Sequence, residues 1–421
     1  MLGALGEGDS WLDAPIEGAQ LGATVRALRA LGTEIDIADG VTRIVGRGLH
    51  GLRIPVGAID CGRSHPTLAL MTGLLAGQRF GTRLLLDPTC AAGRLDDLIG
   101  ALRARGAHVG ASGADGEPLR PPIAVAPLLA DEPLRGLQCS LPGPDANAKS
   151  ALLLSGLFAA GPTAVSEPLL SADHTERMLA ALGVPVRRLG SMAGFDPEQW
   201  DGRLPAFGRW SMPGDTGAAA LIAAAAAAIG GSRIALRDIG FNPTRTGFFD
   251  ALHLLGGRML AIAKGDRAGH EPIAELQIQG HTLRGGVMGG EIVLRCTDSL
   301  PGLLLVGARS ARGLHLADAE AFAESGDPVW VALAKLASAF GARCTADGAG
   351  LRIERATGLQ GARIDAREDH RLALTAVIFG LAAEGETQVE NAACVEEQVP
   401  GWLAQLGELG ARIELEEAPS P

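Results

Sequence analysis

Leu28-Arg29-Ala30-Leu31-Gly32-Thr33-Glu34-Ile35-Asp36-Ile37 is the stretch on which the fold turns. Leu28 and Leu31 lie one helical turn apart, and Gly32 follows where a helix needs a left-handed residue to stop. Ile35 and Ile37 then alternate with acids, the period of a half-buried strand. The same helix-end, glycine, strand pattern returns at Gly106, Gly183, Gly256, Gly341 and Gly410, with gaps of 74, 77, 73, 85 and 69 residues. A second pattern alternates with it: an apolar helix, a glycine-containing turn and a strand-like run. It occupies residues 68–87, 151–168, 220–239, 302–319 and 372–392, and residues 1–15 read as the tail of a sixth copy. A repeat of this length predicts small α/β modules, six in all, each strand, helix, strand, helix and strand pair. The first helix of each module is apolar on most faces, so it is expected inside rather than on a surface.

Six modules divide as three and three. The change point lies near Trp210–Gly214, after a Gly- and Pro-rich stretch at 190–207, which predicts an N-terminal lobe over 1–211 and a C-terminal lobe over 212–421. A chain of 421 residues suits two such domains. The first module begins at Met1 already inside its helix, so its first strand is expected to be missing.

Composition removes several classes of function. Hydrophobic residues make up 47%, but much of this is alanine, as in Ala218 to Ala228, before Gly230 and Gly231 break the run. That run falls short of the ~20 residues of a membrane-spanning helix. No basic-then-apolar leader is visible, and a formal net charge of −11 argues against nucleic acid and anionic membrane as partners. Six cysteines are scattered with no CxxC pair, which fits a reduced, cytoplasmic setting and no zinc site. Asp173-His174-Thr175-Glu176 reads as helix capping rather than as a metal cluster, and no metal or cofactor is expected. Tyrosine is absent, so no phenol can move protons in this chain.

The residues at 59–62 (Ile-Asp-Cys-Gly), 149–157 (Lys-Ser-Ala-Leu-Leu-Leu-Ser-Gly-Leu) and 171–184 (beginning Ser-Ala-Asp-His-Thr-Glu-Arg-Met-Leu) carry a family resemblance. So do 212–215 (Met-Pro-Gly-Asp), 242–247 (Asn-Pro-Thr-Arg-Thr-Gly), 368–374 (Glu-Asp-His-Arg-Leu-Ala-Leu) and 394–402 (Cys-Val-Glu-Glu-Gln-Val-Pro-Gly-Trp). Together they resemble the 5-enolpyruvylshikimate-3-phosphate synthase family over essentially the full length. The reactive-cysteine loop of the related UDP-N-acetylglucosamine enolpyruvyl transferases is not found. The resemblance implies an α/β (α+β) enolpyruvyl-transferase fold: two domains of three βαβαββ units, with buried helices. It also implies chemistry in a cleft between the lobes, where phosphoenolpyruvate is joined to a hydroxyl of shikimate 3-phosphate and phosphate is expelled. Such chemistry needs cations for a phosphate and a carboxylate, and acids and bases to move protons.

Set against the family, several motif positions depart. The family opens with a Lys-Ser-Ile-Ser-His-Arg motif, and this chain is expected to begin past it. The glycine-rich loop reads Gly62-Arg63-Ser64-His65-Pro66-Thr67, with Ala69 where an arginine follows. Gly93 takes the place of a phosphate-binding arginine, with Arg94 one position away. Asp145-Ala146-Asn147 replaces a Ser-Ala-Gln motif, bringing an acid to a phosphate site. The 321–328 loop keeps Glu324 but loses its arginines and lysine, and a late lysine is Glu397. Of the 37 basic residues only Lys149, Lys264 and Lys335 are lysine, and none falls at these lost positions.

What survives defines the candidate site. Asp298, Glu324 and His65 are expected as proton carriers, and Arg371, Arg63, Ser64, Asn147, Ser171 and Arg177 as ligands of the substrate. Arg371 stands near a helix start, where a cation is disfavoured, which suggests a bound anion. The altered cations lead to the expectation of a divergent enzyme acting on a shikimate-like cyclic hydroxy-carboxylate by acid–base elimination or isomerisation, without phosphoenolpyruvate. Two alternatives stand beside it: the ordinary 3-phosphoshikimate 1-carboxyvinyltransferase, and a non-catalytic ligand-binding relative. A monomer or weak oligomer is expected.

Overall fold

The computed structural model describes residues 1–13, 18–88, 90, 95–113, 117–129, 131–296, 299–317, 329–347 and 350–416. Two compact units emerge: Met1–Pro213 with Asp266–Pro272, and Gly214–Gly265 with Ile273–Pro421. Each has its own hydrophobic core.

The recurring glycines behave alike. Gly32, Gly106, Gly183, Gly256, Gly341 and Gly410 have φ of 81°, 98°, 85°, 85°, 85° and 98°. After each, the next N–H reaches back over the helix end: Thr33 to the Leu28 carbonyl, Ala107 to Leu102, Val184 to Leu179, Gly257 to Leu252, Ala342 to Ala337 and Ala411 to Leu406. This bond satisfies a carbonyl that the last turn leaves bare and turns the chain out of the helix. The strand expected after Gly410 does not form among the described residues. Ile413 and Leu415 alternate as a strand would, but no described strand pairs with them and Leu415 stays exposed. Alternation without a ladder partner does not make a strand.

In the first unit, β1 (Glu7–Asp13), β2 (Glu34–Ala38), β3 (Val41–Arg47) and β12 (Gly208–Ser211) form a sheet of order β12-β1-β3-β2. A second sheet has the order β4-β5-β7-β6, from β4 (Ile59–Asp60), β5 (Thr82–Leu85), β6 (Val109–Ser112) and β7 (Arg120–Val125). The third is β10-β11-β9-β8, from β8 (Leu137–Ser140), β9 (Thr163–Ser166), β10 (Arg187–Leu189) and β11 (Met192–Phe195). In the second and third sheets, one parallel pair joins the strand before a buried helix to the strand after it. The first sheet keeps this pattern with a substitute: β12 runs parallel to β1, pairing Gly208 with Ser10. β12, from the far end of the unit, thus holds the edge position that β4 and β8 hold in the other two sheets.

The core of this unit is built on α1 (Leu2–Leu5), α3 (His65–Leu75) and α5 (Ala146–Gly156), while α2 (Ala19–Ala30), α4 (Asp96–Ala104) and α6 (His174–Ala181) bury one face only. Residues 148–156 of α5 are all buried. The Arg105 guanidinium, fully buried at the end of α4, donates to the carbonyls of Arg135 and Leu152 and to the hydroxyls of Ser155 and Thr163. Neutral acceptors from three segments of the next module therefore meet on one cation.

The second unit repeats the scheme. Its sheets are β13 (Arg233–Gly240), β15 (Glu271–Gln279) and β14 (Arg258–Arg267), in that order, and β16 (Gly286–Met288), β17 (Leu314–Ala317), β19 (Gly350–Ile353) and β18 (Cys344–Asp347). A parallel pair, β20 (Arg363–Asp365) and β21 (Gln388–Glu390), completes the set. α7 (Thr216–Ala228), α10 (Leu300–Arg309) and the helix His370–Ala382 pack on one another inside. α8 (Gly247–Leu254) and the helices Val329–Ala339 and Trp402–Glu408 lie outside them, with short helices α9 (Glu291–Leu294) and Cys394–Gln398 in the connections. No described helix is long and apolar enough to cross a membrane.

Close approach of α3 and α5 rests on Gly73, where an added Cβ would lie 2.2 Å from the Ala151 carbonyl oxygen. Gly73→Ala should therefore destabilise the first unit by about 1–3 kcal/mol, the usual cost of overpacking. Gly100, exposed in α4 with nothing within 4 Å of its notional Cβ, is the control. Gly100→Ala should stabilise by about 0.5–1 kcal/mol, because alanine loses less backbone entropy in a helix. Urea unfolding of the two variants checks both signs.

Candidate functional site

An internal helix has a first turn of N–H groups that bulk water does not reach freely, so side chains must accept them. Ser64 caps α3, Asp145 caps α5, Asp215 caps α7 and Asp369 caps the helix His370–Ala382. Arg63, Ser64, His65, Asn147 and Arg371 lie within two residues of these caps.

At α3, Ser64 is buried and accepts from the Thr67 N–H at 3.3 Å, while its hydroxyl shares a 2.8 Å hydrogen bond with the Thr67 hydroxyl. Its oxygen thus holds the helix start. His65 is the first helical residue and half-buried; Arg63 is exposed, and its carbonyl accepts from the Cys90 thiol.

At α5, the Asp145 carboxylate accepts from the N–H groups of Asn147 and Ala148, both at 2.9 Å. The acid that looked hostile to a phosphate is therefore absorbed by the helix start. The Asp145 N–H itself donates to Glu167 Oε1 at 2.7 Å. Glu167 Oε2 accepts from the Ser171 N–H at 3.2 Å and from its hydroxyl at 2.8 Å. One carboxylate thus ties Ser171 to the backbone of Asp145, two residues before Asn147.

Behind it is Lys149, fully buried, with Nζ 3.0 Å from Glu167 Oε2 and 3.0 Å from Glu176 Oε1. The same ammonium donates to the Ser171 carbonyl at 3.4 Å. Burial pushes the Glu176 carboxyl above its ordinary value, against the pull of Lys149. Glu167 accepts from three protein N–H or O–H groups besides Lys149, a load suited to a carboxylate. The motif reading passed over Lys149 and Glu167, yet one signal was present: a lysine inside an apolar helix requires a buried counter-charge.

On α6, Arg177 Nε donates to Asp173 Oδ1 at 2.8 Å and Nη1 to the His270 carbonyl at 3.1 Å. Burial opposes its charge, but the Asp173 hydrogen bond and charge outweigh that and raise its pKa. Asp173 also takes Arg188, so two guanidinium groups share one buried carboxylate. His174 Nδ1 lies 2.6 Å from Glu271 Oε1.

In the second unit, Arg371 Nε and Nη2 donate to the two oxygens of Asp369 at 3.1 and 3.0 Å. Burial pushes Asp369 up, but these bonds and the Arg371 charge hold its carboxyl below the ordinary value. The cation at this helix start therefore has an anion beside it, its own N-cap. Asp298 and Glu324 lie outside the described residues.

The chain resembles known proteins along its whole length. The family model for EPSP synthase (3-phosphoshikimate 1-carboxyvinyltransferase) matches residues 1–406. A 3-phosphoshikimate 1-carboxyvinyltransferase of Brevibacillus brevis is 35% identical over 405 residues, covering 96% of this chain and 92% of the relative. One from Desulforudis audaxviator is 36% identical over 412 residues, with 97% and 93% covered. Among solved structures, EPSP synthase from Acinetobacter baumannii matches with a TM-score of 0.85 at 29% identity, covering 99% of this chain and 93% of that one.

The buried triad sets a pH dependence. Glu176 has its folded-state pKa raised, so its stabilising contribution is complete below the unfolded value of 4.5 and is lost as pH rises through the folded value. Glu176→Gln copies the protonated form at every pH. Its Tm should match that of the native protein near pH 4.5 and exceed it increasingly as the pH is raised. A gap that closes or reverses on going up in pH contradicts this assignment.

Proposed function

Because the chain belongs to the EPSP synthase family, we propose that it is a 3-phosphoshikimate 1-carboxyvinyltransferase, joining phosphoenolpyruvate to shikimate 3-phosphate with release of phosphate. The observation that carries this reading is similarity to such transferases over nearly the whole chain, at 35% and 36% identity. Elimination or isomerisation without phosphoenolpyruvate was expected from the altered cations alone, and the relatives weigh for the transferase against it. A changed cation set alters how tightly anions are held before it alters which bond is made.

Within the first unit, the start of α5 and the Ser171 loop are the natural seat for the phosphate of shikimate 3-phosphate. The Asn147 side chain is half-buried at the second position of α5. The Ser171 hydroxyl can rotate its hydrogen from Glu167 to an anion, since the Ser171 N–H stays on Glu167. Arg177 and Arg188 bring two guanidinium groups to Asp173 at the start of α6, with Glu271 and Asp266 also acting on Arg177. In the second unit, Arg371 is a candidate for a carboxylate or phosphate, in exchange with Asp369. Proton transfer falls to Asp298, Glu324 and His65, the acids and imidazole at family site positions.

The test is turnover. Phosphate release should require both shikimate 3-phosphate and phosphoenolpyruvate, and should be matched by an enolpyruvyl ether product. No phosphate release, together with deuterium entering a ring carbon in heavy water without phosphoenolpyruvate, would instead establish elimination or isomerisation. Asn147→Ala should raise the KM for shikimate 3-phosphate about 10- to 100-fold, the loss of one hydrogen bond to a charged group. Steady-state kinetics with each substrate varied in turn reads this directly.

A further inference from the structure

Glu167 is bound through both its backbone and its side chain. Its backbone is tied on both sides to Ser191, whose carbonyl accepts from the Glu167 N–H and whose hydroxyl donates to the Glu167 carbonyl. Its side chain is completely buried and holds two segments that are distant in sequence, the start of α5 through the Asp145 N–H and the loop at Ser171. All three polar groups of Ser171 end on the same pair: N–H and hydroxyl on Glu167, carbonyl on Lys149.

An ion pair withdrawn from water is seldom retained for stability alone, because an apolar replacement of similar volume often does as well. What it supplies is geometry, since a buried carboxylate with fixed donors tolerates few alternative arrangements. Here every donor belongs to a segment that also carries a candidate substrate ligand. Asn147 is two residues from Asp145, and Ser171 is itself held.

We propose that Glu167, backed by Lys149, is a positioning residue that fixes the spacing between the start of α5 and Ser171, and so shapes the site for the phosphate-bearing substrate. The proposal rests on the transferase reading for its substrate, but not for its geometry. Glu167 touches no substrate in this scheme. It acts through Ser171 and through the backbone that carries Asn147.

Glu167→Gln provides the test, because the amide nitrogen cannot accept and one of the two N–H anchors must be lost. In the ligand-free protein, amide hydrogen exchange at Asp145 or Ser171 should quicken at least about 10-fold, with α2 and α4 unchanged. In kinetics, KM for shikimate 3-phosphate should rise by at least about 10-fold while KM for phosphoenolpyruvate stays within about two-fold. Exchange at native rates at both positions overturns the proposal, whatever the activity. So does an equal rise in both KM values, which is what a general loosening of the fold produces. Absence of turnover in the native protein would sink the transferase reading, and the exchange experiment would still decide the positioning role. Should Glu167→Gln fail to fold, Lys149→Met with Glu167→Gln removes the stranded ammonium as well, and the same exchange and KM criteria apply to it.

Discussion

A helix without a polar face has to be covered on every side, and most of this architecture answers that need. Residues 219–228 of α7 are all buried, as are residues 148–156 of α5 and 300–308 of α10. Such helices can pack on one another and be sheathed by sheets, with amphipathic helices outside. In the second unit α7, α10 and the helix His370–Ala382 do so as a trio. Small residues at the contacts allow it: Gly302 lies 3.0 Å from Ala224 at its notional Cβ, and Gly73 lies closer still to Ala151. The same need governs the helix starts. Their N–H groups are taken by Ser64, Asp145, Asp215 and Asp369, which gathers polar side chains at the ends of otherwise apolar helices.

This explains which features were legible in the chain. The left-handed glycines depend on chemistry within six residues, so Gly32 and its five counterparts were readable one by one. The buried first helices were readable because they lack a polar face. β12 was not, since its pairing with β1 brings Gly208 to Ser10 and nothing local at either place announces it. The strand foreseen after Gly410 failed for the opposite reason: the alternation was local and the partner was absent among the described residues.

The candidate site divides in the same way. Motif positions led to Asn147, Ser171 and Arg177, and Glu167 ties Ser171 to Asp145, two residues before Asn147. Arg371 was read as a cation in need of an anion, but Asp369, two residues earlier, already provides one. Glu167 escaped notice because its role depends on Asp145, 22 residues away, and on a lysine that reads as the polar exception in an apolar helix. Charge burial is visible in sequence only as a demand, and the partner that meets it has to be seen in the fold.

One consequence bears on how an anion is held at α5. A free helix N-terminus presents about half a unit of positive charge and several bare N–H groups. Here the Asp145 carboxylate brings a full negative charge and occupies the N–H groups of Asn147 and Ala148. Neither the dipole nor those two donors is left to favour a phosphate. Lys149 cannot make up the difference, because its charge is spent on Glu167 and Glu176 below the surface. On the proposed reading, recognition at this end falls to the side-chain amide of Asn147, the rotatable hydroxyl of Ser171 and the guanidinium groups of Arg177 and Arg188. In that reading, short-range donors whose spacing Glu167 sets take the place of the helix field.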